Sequence, residues 1–174
     1  MDTNISSNSY NLWNENVSEA NYGPEYKAHI FEQYKLYVEM ADQVSNRRNI
    51  ANTFFLTLHT LLLGVIGFSI EKGPKIVDRW IIFFPLMGIL LLCLTWWMIV
   101  RSYRQLNTGK FLIIGEFETK LPASPYWSAE WKALGEGKDI KKYIPLSHVE
   151  NWVPIIFAFL YIVIAMIIYF TPAL

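Results

Sequence analysis

The chain is nearly free of cysteine, with Cys93 alone among 174 residues. No internal disulfide is therefore available, and because Cys93 falls in an apolar run it reads as a small packing residue. A surplus of charge is also missing: fifteen Lys and Arg balance fifteen Asp and Glu, which argues against nucleic acid as a partner. Of the three histidines, His29, His59 and His148, none stands in a convincing metal cluster. Glu25 and Glu32 flank His29 at helical spacing, but a polar helix face produces such spacings by chance. No nucleophile elbow or complete phosphate loop is present, since Gly135-Glu-Gly-Lys matches only a fragment of the pattern and reads as a turn. An enzyme is thus the weakest hypothesis, and no cofactor is expected. No basic flank precedes an apolar core near Met1, so no cleavable signal peptide is expected. The absence of an internal repeat weakens a transporter built from inverted halves.

The most informative lack is local. No Asp, Glu, Lys or Arg occurs in Ile50 to Ile70, Trp80 to Val100 or Trp152 to Phe170. At roughly 1.5 Å per residue, helices of these lengths match a hydrocarbon core of about 30 Å. The fold class predicted is all-α: a multi-pass membrane protein with three transmembrane helices, a long stalk helix continuous with the first span, and a cytosolic helical cap.

Taken in order, residues 1–22 form an Asn-rich tail, with six asparagines. It reads as disordered, or as docking on a neighbouring subunit through Leu12, Trp13 and Val17. A stalk helix over 23–49 follows, with Gly23 as N-cap and Pro24 at the first helical position. The first span is 50–70, a polar connection 71–79, and the second span 80–100, bent by its interior Pro85. The cap covers 101–151. In it the second helix continues to Phe117, Ser124 and Pro125 open a short helix with Trp127, Trp131 and Leu134 along one face, and Gly135 closes it. The third span is 152–170, beginning either at Asn151 or one turn earlier with Ser147 and Glu150 as a capping box, and 171–174 end the chain. Lys and Arg number twelve before the first span and after the second, against three in the connection and none at the C-terminus. That bias puts the N-terminus and cap in the cytosol and the C-terminus outside.

Asn46, Asn49, Thr53, Thr57, Thr60, Gly64 and Gly67 recur every three or four residues, forming a polar or small stripe on the first span. Two readings stand: close helix packing with interhelical hydrogen bonds, or the lining of a wet axial passage in an oligomer. His59, the only basic side chain at membrane depth, is either a pH-sensitive switch or a neutral imidazole hydrogen-bonded to Thr60 or a neighbouring helix. Asp42, Arg47 and Arg48 have no opposite charge within a turn of their own helix. They are either solvated or bound to lipid headgroups, or they pair with the cap or an adjacent subunit. Trp127 and Trp131 are candidates for inter-subunit or cap contacts, and the region of Trp127, Trp131 and Tyr143 offers a surface for a cytosolic ligand.

Several separate blocks also carry a family resemblance. Gln33-Tyr-Lys-Leu-Tyr-Val-Glu-Met-Ala-Asp, Arg47-Arg48, Ala51-Asn52 and Phe54-Phe55 resemble the opening of the RipA-like family of small octameric bacterial membrane proteins. Arg101-Ser-Tyr-Arg-Gln-Leu-Asn, Lys110-Phe111, Leu121-Pro122, Glu130-Trp-Lys-Ala-Leu-Gly-Glu-Gly-Lys-Asp and the Glu150 to Pro154 stretch are similar to its later blocks. The resemblance runs from Tyr26 to Phe170. It implies an inner-membrane homo-oligomer of eight copies, linked in some pathogens to growth inside host cells, with the lipid bilayer and its own copies as partners and no catalytic residues. A looser likeness is to SLATT-type proteins, whose membrane unit is thought to form pores. The leading expectation is a non-enzymatic assembly with a scaffolding or envelope-homeostasis role; a pore is second and a membrane-anchored sensor third.

Overall fold

The computed structural model describes residues 11–71, 83–138, 141–143 and 146–170. Among them every regular element is helical: α1 (Glu19–Tyr22), α2 (Tyr26–Glu71), α3 (Phe83–Glu118), a π-helical turn (Pro125–Glu130), α4 (Trp131–Ala133), a 3-10 turn (Gly135–Gly137) and α5 (Leu146–Phe170). Three helices are long and apolar enough to cross a membrane, within Tyr26–Ser69, Phe83–Glu118 and Val149–Phe170. The all-α class with three spans, the first belonging to a long helix, is therefore observed. The expected connection beyond Glu71 and residues 171–174 lie outside the described residues, as do Met1 to Tyr10.

The chain divides into two compact units. One joins Met1–Gln43 to Asn107–Tyr143, and the other joins Val44–Leu106 to Ile144–Leu174. In the first, the polar unit, helical spacing on α2 brings Ile30, Tyr34 and Ala41 against Ile114 and Phe117 of α3. Leu12 and Trp13 cover this cluster, with the Trp13 ring edge-on to Phe117 at 5.6 Å. The Lys120 ammonium stands 3.5 Å from the Trp13 ring centre. Residues 11–22 thus follow a defined course where the sequence reading expects a disordered tail. Leu12 and Trp13 pack on their own chain, while Val17 is exposed. Burial of an indole together with a cation over its face outweighs the polar composition of the segment.

The start of α2 also differs from expectation. Gly23 ends α1 with φ of 104°, a value that suits glycine, so it is a C-cap and not the N-cap of the long helix. The long helix then begins at Tyr26.

In the second, apolar unit, Phe55 of α2 packs with Trp96 and Val100 of α3, covered by Val153 and Phe157 of α5. The described part of α3 begins at Phe83, and residues 80–82, where the expected second span starts, lie outside the described residues. Pro154 is an interior proline of α5. Helix α5 begins at Leu146, earlier than either expected start, which puts Pro154 inside it and Ser147 within the helix, not at its N-cap. Pro154 is fully buried, and neighbouring helices tolerate the one backbone bond it removes.

Candidate functional site

Helix α2 presents three faces in the apolar unit. At 3.6 residues per turn, the core positions Val44, Phe55 and His59 lie about 150° around the helix from the polar and small stripe. Ile50, Phe54, Leu61, Val65 and Phe68 lie between the two on one side, and all five are exposed. Every member of the stripe, Asn46, Asn49, Thr53, Thr57, Thr60, Gly64 and Gly67, is exposed as well. The stripe therefore takes no part in packing this chain on itself. A methyl group added at Gly64 or Gly67 would meet nothing within 4 Å. The Thr60 hydroxyl donates to the Leu56 carbonyl at 2.7 Å, so it is satisfied by its own helix and not by His59.

His59 points the other way, into the unit, and is fully buried. Its ring stacks on Trp96 at 5.4 Å and 14°, with Phe157 and Tyr161 also against it. The Tyr161 hydroxyl donates to the His59 carbonyl at 3.0 Å and lies 3.2 Å from Nδ1. A hydroxyl has one proton, so with that proton on the carbonyl, Nδ1–H is the donor to Tyr161 Oη. Nε2 faces the Cys93 thiol at 3.9 Å. Beside this group the Trp96 indole N–H donates to Asn52 Oδ1 at 2.9 Å. One imidazole, one phenol and one thiol thus join α2, α3 and α5, with no Asp, Glu, Lys or Arg among them.

Arg48 does not wait for a second copy either. Its Nε lies 3.3 Å from Glu150 Oε2, with both side chains partly buried and the geometry short of a hydrogen bond. Glu150, placed by the sequence reading in the cap, belongs to the start of α5. Asp42 and Arg47 are exposed.

The polar unit contains a hub that sequence reasoning missed. Glu118, 2% exposed, ends α3 and accepts from the hydroxyls of Tyr34 (3.1 Å) and Ser124 (2.6 Å). The backbone N–H groups of Tyr126 and Trp127 add two more bonds, each 3.0 Å. Four donors around one buried carboxyl make a site for its charged form. The carboxylate thereby pins the π-helical turn to α2 and α3. Trp127 is seated by the same contact, directly over Gly115: a Cβ there would lie 2.7 Å from the indole. Trp131 rests against Gly137 in the same manner, at 3.1 Å. The expected cap contacts of Trp127 and Trp131 are made within the chain, although both rings remain about half exposed, and Tyr143 is exposed too. His29, considered above for metal, meets the Tyr22 hydroxyl through Nδ1 at 2.8 Å. Among the described residues no three His, Cys, Asp or Glu side chains gather as metal ligands.

No curated protein and no solved structure matches the chain. A model of the octameric membrane protein family (8xMP) matches residues 31–170, which include nearly all of α2 and the whole of α3 and α5, and the chain belongs to that family.

Proposed function

We propose that this protein is a non-enzymatic building block of a homo-oligomeric assembly in the bacterial inner membrane, with a scaffolding or envelope-homeostasis role. Its copies meet along the face formed by Asn46, Asn49, Thr53, Thr57, Thr60, Gly64 and Gly67. One observation carries this reading: that face is polar or small, lies mostly in an uncharged span, and is left uncovered by the chain's own helices. Asn and Thr side chains at membrane depth avoid lipid, and small residues let backbones approach closely. The apolar face bearing Ile50, Phe54, Leu61, Val65 and Phe68 is the one suited to lipid. The Lys and Arg bias supports the N-terminus and the polar unit lying in the cytosol.

Replacing Thr57 and Gly64 together by leucine tests the reading through particle mass in detergent. Smaller particles with unchanged helicity support it, and an unchanged octamer overturns it. A second reading, a pore lined by this stripe, is favoured by Thr53 and Thr57 facing outward from the chain. Liposomes holding the purified protein separate the two: ion flux blocked by a bulky side chain at Thr57 selects the pore, and an intact assembly without flux selects the scaffold.

A further inference from the structure

In the polar unit a groove of about 500 Å³ runs along α2, lined by Tyr22, His29, Glu32, Lys35, Leu36 and Glu39. Each of these residues is exposed. Tyr22 bounds one end, its hydroxyl 2.8 Å from His29 Nδ1 and its ring edge-on to Tyr26 at 5.7 Å. Leu36 is 59% exposed, the Lys35 ammonium stands over the Phe31 ring at 5.0 Å, and Glu32 and Glu39 add two carboxylates. The groove thus sets apolar surface beside hydrogen-bond acceptors. A side chain with a large apolar body and one N–H suits it, which describes tryptophan.

The same unit presents such a side chain. Trp127 stays half exposed although its backbone is held by Glu118 and its ring lies against Gly115. Glu118 faces the turn that carries Trp127, whereas Phe117, about 100° away around α3, faces Trp13 and the segment that leads to Tyr22. Indole and groove therefore open on opposite sides of the α2 and α3 pair, and Trp127 cannot fill the groove of its own chain. They nevertheless lie at one level. Tyr34 meets Glu118 and Tyr37 meets Phe117, so the two helices run antiparallel, and Gly115 is level with Tyr37 to within about a turn, beside Leu36 and Glu39.

Copies of one chain inserted by the same charge bias share one orientation in the bilayer. A closed octamer of such copies is related by rotation about the membrane normal, so each contact joins two different patches, one from either side of the chain. We infer that Trp127 of one copy enters the groove of the next, its ring on Leu36 and its N–H donating to Glu39, in a head-to-tail contact repeated around the octamer. The inference rests on the reading that copies of this chain assemble with one another, and adds to the membrane stripe a contact made by the polar unit. Tryptophan in a pocket is a common anchor of protein interfaces.

Cross-linking of the full-length octamer in detergent tests the contact. Gln33→Cys, in the lining of the groove, and Tyr126→Cys, beside the indole, placed in one chain should give a ladder of multimers with a short bis-maleimide. Either change alone should leave monomers, since Cys93 is buried. Adding Leu36→Asp, which sets a carboxylate against the indole, should lower the yield of the ladder about tenfold with helicity unchanged, and Leu36→Met should not. An octamer whose double variant gives only monomers overturns the contact, and so does a ladder indifferent to Leu36→Asp. Multimers from Gln33→Cys alone assign the groove to pairing with itself and also overturn it. The two readings fail separately: a ladder in an octamer indifferent to the Thr57 and Gly64 leucines removes only the stripe. Dissociation by those leucines, with no ladder from the undisturbed octamer, removes only the groove contact.

Discussion

Glu118 and His59 are both buried hubs joining segments far apart in sequence, yet they are built from opposite materials. Around Glu118 a charge is retained and a loop gives up two backbone N–H groups to it. Around His59 every partner is neutral, and three of its neighbours are aromatic rings. Near water, a buried charge with four donors holds an irregular turn that has little apolar surface of its own. At membrane depth the backbone is already satisfied by the helices, so a polar side chain has only to register one helix against another.

The sharpest way to break the contrast is Glu118→Ala. Two buried backbone N–H groups and two hydroxyls would lose their acceptor together, at a cost of about 3 to 5 kcal/mol. The expected outcome is early protease cleavage near Ser124 to Trp127, with the three long helices retained by circular dichroism. Glu118→Gln should recover only part of the loss, because an amide cannot accept from all four donors. A smaller effect, about 1 to 3 kcal/mol, is expected for Gly115→Ala, whose methyl group displaces the Trp127 indole. Tryptophan fluorescence should shift to the red as the ring is released. Smallest is His59→Phe, which keeps a ring over Trp96 but loses the bond to Tyr161, at about 0.6 to 2 kcal/mol. Thermal unfolding in detergent measures it, and a loss as large as that of Glu118→Ala would abolish the distinction between the hubs.

The helices were legible because a missing charge is a local property: three uncharged stretches suffice to place three spans. The stripe was legible for the same reason, since spacing along one helix fixes a face. Partners from distant segments were not. Glu118 is an ordinary carboxylate at a helix end until the turn after Ser124 folds back on it, and Lys110 is an ordinary cation until Tyr37 is placed beneath it. Leu12 and Trp13 were misjudged because composition averages over the tail, whereas two large side chains meeting a prepared surface decide its course. Pro154 misled in the other direction: a proline that would end a helix in water is carried inside one where neighbours enclose it.

The seclusion of Cys93 has a practical consequence. Its sulfur is enclosed by three helices, the residue is 3% exposed, and it is the only thiol in the sequence. Alkylating reagents and spin labels added to the folded protein should therefore leave it untouched. A cysteine introduced at the exposed positions 42 or 57 would then report from a silent background, with Cys93 left in place.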